Sequence, residues 1–172
     1  MKNDYRTYGL SLLLSAFVAT FLTTMSFASQ TVAAADSHAD INSTRKGLAI
    51  KGYDPVAYFI QGEAVRGDKD LKHSYGGAVY QFSSNENLER FKANPSQYLP
   101  QYNGYCAYGV TKNRKFDIDP KAFEIVDGKL YLNLNKKVQR IWKKDQAALI
   151  QEADSNWLSI KSVSDKELAK DW

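Results

Sequence analysis

Cysteine and histidine are nearly absent from this 172-residue chain, which has one cysteine, Cys106, and two histidines, His38 and His73. A single cysteine cannot form an intramolecular disulfide, so the fold must be stabilised by packing. Motifs with a known catalytic mechanism are also absent: the sequence has no glycine-rich phosphate loop, G-x-S-x-G, H-E-x-x-H or C-x-x-C. We therefore expect a protein that is not an enzyme.

Aromatic residues, in contrast, are plentiful: the chain has 11 Tyr, 8 Phe and 3 Trp, enough to build a core. The formal net charge is only +4, and the basic residues are spread along the chain. Such a weak excess does not make the basic footprint of a nucleic-acid-binding protein, so we expect no nucleic-acid partner.

The N-terminus has the pattern of a secretory signal peptide. Lys2 and Arg6 precede an almost uncharged run over residues 10–27, and small-residue cleavage sites follow at Ala28 and at Ala35. An uncleaved membrane anchor is the alternative, but the Ser and Thr within the run favour cleavage. We predict a signal peptide over residues 1–35, export to the bacterial periplasm and no stable membrane anchor after cleavage.

Two hairpins and one long helix dominate the local pattern. Gly76-Gly77 interrupts the strand-like residues 72–82, and Asp127-Gly128 lies between two β-forming runs over residues 123–132. Asn135 can cap a helix over residues 136–153, and Ser83 begins the pattern of a capping box. The pattern predicts an α+β fold, in which a small antiparallel sheet with hairpins packs against flanking helices and a C-terminal helix follows.

Cys106 and His73 are the one pair of residues that could carry metal chemistry. A thiolate and an imidazole suit Cu or Zn ions, and Tyr102, Tyr105 and Tyr108 crowd around the cysteine in the sequence. These residues predict a metal site at Cys106 and His73, or a ligand pocket lined by the three tyrosines. Two further interpretations stay open: a buried cysteine that packs as a small apolar side chain, and a thiol nucleophile.

Several separated segments, in order, resemble those of exported proteins with a YHS domain. They are GYDPVAYF (residues 52–59), YGGAVYQFSS (75–84), NPSQYLPQYNGYCAYGV (94–110), IVDGKLYLN (125–133) and ADSNW (153–157). The resemblance implies a compact α+β domain with suspected metal binding. YHS modules associated with heavy metals carry cysteines at places where this chain has Ala57 and Ser83 or Ser84, so it keeps the scaffold without those thiolates.

The predicted organisation follows from these observations. A signal peptide (1–35) precedes a polar leader (36–47), a YHS-like domain (48–158) and a C-terminal tail (159–172) that carries a short helix. We expect an exported binding module with a metal ion or small ligand near Cys106. The alternatives are an accessory domain that binds a periplasmic protein partner without a ligand, and a thiol-dependent redox protein.

Overall fold

Four strands form two antiparallel hairpins in the computed structural model, which describes residues 40–169. Strands β1 (Asp68–Tyr75) and β2 (Ala78–Phe82) form the first hairpin, and β3 (Asp119–Val126) and β4 (Lys129–Asn133) form the second. Both turn dipeptides adopt positive φ angles, as two-residue hairpin turns require. The two predicted hairpins are therefore confirmed.

Seven helices accompany the hairpins within the described residues, which confirms the predicted α+β class with a C-terminal helix. They are α1 (Ala57–Ile60), α2 (Asn85–Ala93), α3 (Pro95–Tyr98), α4 (Ala107–Thr111), α5 (Lys136–Trp142), α6 (Gln146–Ile160) and α7 (Asp165–Leu168). None of these helices is both long and apolar enough to cross a membrane. The predicted signal peptide lies outside the described residues.

Strand β4 separates two hydrophobic cores. Successive side chains of a strand point to opposite faces. Leu130 and Leu132 therefore enter one core, whereas Tyr131 between them enters the other. The first core also contains side chains from α1, β2 and α2, and the second contains side chains from α4, α5 and α6. Burial of β4 on both faces holds the two cores together.

The predicted helix over residues 136–153 is wrong as a single element, because α5 ends at Trp142 and α6 begins at Gln146. Asn135 does cap α5, by accepting a hydrogen bond from the Val138 N–H at 2.9 Å. The break follows from tertiary packing: α5 lies against β3 and β4, whereas α6 lies against α4. One straight helix cannot follow both surfaces.

The cap of α2 lies one residue later than the sequence pattern predicts. Ser84, not Ser83, accepts the hydrogen bond from the Asn87 N–H. The Ser83 hydroxyl is already engaged, because it donates to Oδ2 of the buried Asp54 at 2.7 Å. A long-range contact thus decides which of two adjacent serines caps the helix.

The described part of the polar leader, residues 40–47, is hydrogen-bonded to the rest of the molecule. The Asn42 backbone N–H donates to the Asn103 carbonyl, and its side-chain amide donates to the Gly104 carbonyl at 2.9 Å. The Asn103 amide donates in return to the Asp40 carbonyl. These bonds hold Asp40 beside the second core, where its carboxylate meets Lys115.

Candidate functional site

Cys106 lies at the start of α4 and is only 1% exposed. Its sulfur caps the helix by accepting a hydrogen bond from the Gly109 N–H at 3.4 Å, and it also accepts one from the Leu134 N–H at 3.2 Å. Burial raises the pKa of the thiol, although the backbone N–H groups around it act in the opposite direction. These contacts fit the interpretation in which Cys106 is a buried packing and capping residue.

His73 lies on β1, beside residues quite different from those that surround Cys106. Its half-buried ring packs edge-on against Phe91 of α2, with 6.3 Å between ring centroids. The contacts of Cys106, in comparison, come from Gly109 of α4, from Asn133 at the end of β4 and from Leu134 just after it. No hydrogen bond or ring contact joins the two predicted metal ligands.

The three tyrosines predicted to line a ligand pocket each contact a different charged residue, and the pocket stays a prediction. Tyr102 donates to the Asp154 carboxylate at 2.9 Å, whereas the Lys112 ammonium lies over the Tyr108 ring. Tyr102 and Tyr105 are both 5% exposed. Burial raises the pKa of each, and hydrogen bonds to Asp154 and Asp40, respectively, raise it further.

A metal centre at Cys106 and His73 stays a prediction. Within residues 40–169, no group of three or more His, Cys, Asp or Glu side chains lies close enough to hold a metal ion. Structural zinc sites use four protein ligands, and Cys106 and His73 would supply only two of them. The geometry therefore does not add support to the hypothesis of a metal site.

Lys115 is a buried cation that the sequence analysis did not identify. Its side chain is fully buried, and its ammonium donates to the Asp40 carboxylate at 3.1 Å. It also donates to the carbonyls of Lys161 and Val163, which follow the end of α6. The rings of Tyr105 and Trp157 complete the shell, each with its centroid within 5.3 Å of Nζ. A buried ammonium needs such partners, because desolvation of the charge is costly.

The pocket between residues 114–116 and α7 has a volume of about 460 Å³. Phe116, which is 41% exposed, and Leu168 supply apolar surface, while Arg114, Lys166 and Asp165 supply charge. The pocket adjoins the region around Cys106, since the Phe116 carbonyl accepts the Cys106 N–H at 2.9 Å. We name it the α7 pocket.

A second concavity, of about 850 Å³, lies on the outer face of the first hairpin. Residues 47–49 pair with Val79 of β2, so that a short third segment lies beside the hairpin. The lining of this face combines lysine side chains with two apolar side chains, Leu48 and Val79, which we call the floor. We name this concavity the lysine groove; its lining is Lys46, Leu48, Lys69, Lys72, His73, Ser74, Val79 and Gln81.

Comparison with known proteins places a family resemblance in the first half of the described chain. Residues 56–102 match the YHS domain. No curated protein and no solved structure matches the chain. The YHS match covers α1 to α3 and the first hairpin, and it ends before Cys106, the second hairpin and α7. The wider boundaries 48–158, and membership of an exported YHS subgroup, stay predictions.

A buried carboxylate just before the YHS segment, Asp54, contacts positions where the resemblance would place metal-binding cysteines. Asp54 is 0% exposed; its Oδ1 accepts from the N–H groups of Val56 and Ala57, and its Oδ2 accepts from Ser83 and the Asn87 amide. Asp54 thus links Ala57 to Ser83, which together with Ser84 are the positions where this chain lacks thiols. This hydrogen-bond network connects α1 to the start of α2.

The sequence does not predict the α7 pocket, although it does predict helix α7, which forms one side of it. The Ser164–Glu167 capping box predicts a short helix, which the structure confirms as α7 with Ser164 accepting from the Glu167 N–H. Nothing in the sequence, however, places that helix beside Phe116. Only the fold brings the two segments together.

Proposed function

We propose that the chain is an exported, non-enzymatic binding domain whose α7 pocket holds a small organic anion with an apolar body. The pocket itself is the observation that carries this proposal. Its volume of about 460 Å³ lies within the usual range for small-molecule sites, roughly 300–1,000 Å³. Ligand sites of that kind combine apolar walls with a few charged groups, as Phe116, Leu168 and Lys166 do here.

The charges at the pocket favour an anion. Arg114, Lys115 and Lys166 carry positive charge, and Asp165 is the acidic residue of the lining. The charge of Lys115 is balanced by Asp40, which lies 3.1 Å from its ammonium. We place the anionic group of the ligand, a carboxylate or sulfonate attached to a ring or alkyl chain, beside the exposed Lys166 ammonium, so that the apolar body packs against Phe116 and Leu168.

The proposal keeps the predicted small ligand near Cys106 but changes the residues that contact it. The pocket lies next to the cysteine, because the Cys106 N–H donates a hydrogen bond to the carbonyl of Phe116, a residue of the pocket lining. Lys115, which lines the pocket, lies over the ring of Tyr105. The ligand would therefore contact Phe116 and Leu168, while the backbone N–H of Cys106 holds the Phe116 carbonyl in place.

Two fluorescent probes test this function. Anilinonaphthalene sulfonate has an apolar aromatic body and one anionic group, and phenylnaphthylamine is its uncharged parent. We expect Phe116→Ala and Leu168→Ala to weaken the binding of both probes to the full chain by roughly tenfold. Lys166→Gln should weaken the sulfonate alone, by about threefold, because it removes only a partly exposed charge.

Leu158→Ala is the matched control, since Leu158 is 71% exposed on α6 and does not line the pocket. It should leave both affinities unchanged. Near-ultraviolet circular dichroism identifies any variant that loses its native packing and binds the dyes for that reason. Equal affinities for wild type, Phe116→Ala and Leu168→Ala, with native spectra, would contradict the proposal.

A metal ion at Cys106 is tested separately by metal analysis of the purified protein and by melting with added Cu(I) or Zn²⁺. Binding to the native state alone must raise the melting temperature. A rise that disappears in Cys106→Ser would support the metal site, and no bound metal and no rise would exclude it. Neither outcome depends on the α7 pocket.

Export is proposed from the N-terminal pattern alone. We expect cell fractionation to recover the protein in the periplasm, with a mature N-terminus at Asp36 or at Ser29, according to which cleavage site is used. Recovery of uncleaved protein in the membrane fraction would support the anchor alternative instead.

A further inference from the structure

We infer that the lysine groove is an interaction surface for an acidic, extended segment of a partner protein. The groove differs from the α7 pocket in chemistry and in location. It lies within the first hairpin and the segment beside it, and its lining includes three lysines and no acidic residue. It therefore brings three ammonium groups together in one concavity that has no carboxylate in its lining.

The first step of the argument is that these lysines have no acidic partner. Some lysines elsewhere in the described residues have a carboxylate within 4.0 Å, as Lys51 does with Asp117 and Lys143 with Glu124. No salt bridge within the described residues involves Lys46, Lys69 or Lys72. All three are exposed, so their ammonium groups are available to an external anion.

The second step concerns the other acidic groups nearby. Asp68 and Asp70 lie on β1, but neither lines the groove. The Asp68 carboxylate instead accepts a hydrogen bond from the Asp70 N–H at 2.9 Å, within its own strand. Neither carboxylate forms a salt bridge with a lysine of the groove within the described residues, so the ammonium groups can bind an external anion.

The third step is the shape and polarity of the groove floor. Leu48 and Val79 are half-buried and lie side by side, because Leu48 pairs with Val79 in a parallel bridge. Ser74 and Gln81 add hydrogen-bonding groups to the same face. A segment in which one apolar residue is flanked by Asp or Glu would place the apolar side chain on the floor and its carboxylates among the lysines.

Two other classes of partner fit the groove less well. Nucleic-acid binding rests on many phosphate contacts and, for single strands, on aromatic side chains that stack with bases. The groove has three lysines and no Phe, Tyr or Trp in its lining. A membrane surface would require protruding apolar side chains, whereas Leu48 and Val79 form the floor.

The test uses a blocked Glu-Glu-Leu-Glu-Glu peptide titrated into the full chain by calorimetry. We expect the double variant Lys69→Gln and Lys72→Gln to weaken its binding by at least about tenfold, and to lower the dependence of affinity on salt. Replacing the central leucine of the peptide by serine should also weaken binding, by about threefold or more, because the apolar floor loses its contact.

Lys121→Gln combined with Lys129→Gln is the matched control, since it removes the same charge from exposed positions of the second hairpin. It should bind the peptide as wild type does. Equal affinities for wild type and the Lys69, Lys72 double variant would overturn the inference. Tighter binding of oligothymidylate or inorganic triphosphate than of the peptide at the same salt concentration would also overturn it. None of these outcomes depends on the α7 pocket.

Discussion

The two parts of the molecule are each tied together by a buried charge, and the two charges are opposite in sign. In the YHS segment and the residues just before it, Asp54 is surrounded by neutral donors, among them the Ser83 hydroxyl and the Asn87 amide, each at 2.7 Å. In the C-terminal part, Lys115 is held by one carboxylate, two carbonyls and two aromatic rings. Both charges are fully partnered.

The difference lies in how far along the chain the partners come from. Asp54 reaches Ser83 and Asn87, which lie 29 and 33 positions away, so its network stays within or next to the YHS segment. Lys115 reaches back 75 positions to Asp40 and forward 48 to Val163. The first charge therefore joins neighbouring elements of the matched domain, whereas the second fastens both ends of the described chain to the second core.

The surfaces differ in the same way. The YHS segment contributes most of the open, cationic groove, while the C-terminal part contributes an apolar pocket. Since the YHS match ends at residue 102, the pocket belongs to the residues that follow it. We infer that the matched scaffold and the added C-terminal elements carry separate binding surfaces.

The largest expected effects come from emptying either core. Phe91 and Trp142 are 0% exposed, one in each core. Phe91→Ala and Trp142→Ala should each lower the free energy of unfolding by about 3–5 kcal/mol. Because β4 is shared, urea denaturation should keep one transition in both variants. Two separate transitions would show that the two parts unfold independently, and would contradict the claim that β4 couples the two cores.

Removal of the buried Asp54 carboxylate should lower the free energy of unfolding nearly as much as emptying a core does. Asp54→Ala leaves the Ser83 and Asn87 donors without an acceptor in the interior, and we expect a loss of about 3 kcal/mol in the free energy of unfolding. Asp68→Ala, which changes an exposed aspartate of β1, is the control and should cost less than about 1 kcal/mol. Similar losses in the two variants would contradict the role assigned to Asp54.

Alkaline pH should destabilise both parts together. Burial raises the pKa of Tyr80 to about 12 and raises those of Tyr58 and Tyr102 as well, whereas the same groups in the unfolded chain ionise near 10.0. The unfolded state therefore loses protons first, so stability is full below pH 10 and falls as the pH rises above it.

Each such tyrosine contributes a slope of about 1.4 kcal/mol per pH unit in that window. Denaturant titrations between pH 9 and 11 should accordingly show a smaller slope for Tyr58→Phe, in the first part, and for Tyr102→Phe, in the second. A variant that keeps the wild-type slope would show that its tyrosine ionises in the folded protein as easily as in the unfolded chain.

Lys115→Met should have the smallest effect on stability. Replacement of both members of a buried ion pair by apolar side chains is often neutral, because the desolvation cost of the charges also disappears. Lys115→Met approaches that case because the remaining carboxylate, Asp40, is partly exposed to water. We expect a change within about 1 kcal/mol, provided that Asp40, which is partly exposed, becomes solvated. Lys115→Ala leaves a cavity as well, so we expect it to lower the free energy of unfolding by about 2 kcal/mol in the same urea assay. The difference between the two variants measures the contribution of side-chain packing apart from that of the charge. A loss above about 3 kcal/mol in Lys115→Met would contradict this account of the ammonium.

Local features of the sequence predicted local structure well. Gly76-Gly77 and Asp127-Gly128 fix the two hairpins, because positive φ angles at those residues are a property of the dipeptide itself. The caps at Asn135 and Ser164 are confirmed for the same reason. These features depend on residues that are three or four positions apart at most.

Contacts between distant residues could not be predicted. Lys115 lies between Arg114 and Phe116 and resembles any surface lysine, yet its partners are distant in the sequence and bury it completely. The break between α5 and α6 contains no glycine or proline from which it could be predicted. The sequence predicts a site at Cys106 and its tyrosines from their proximity along the chain alone, and that site stays a prediction.

Amide chemical-shift mapping with anilinonaphthalene sulfonate tests the central claim most directly. The account predicts shifts concentrated in residues 114–116 and 165–169, little change in residues 69–81, and the converse pattern when the acidic peptide is added instead. Sulfonate-induced shifts centred on residues 69–81, or absent from residues 114–116 at saturation, would contradict it.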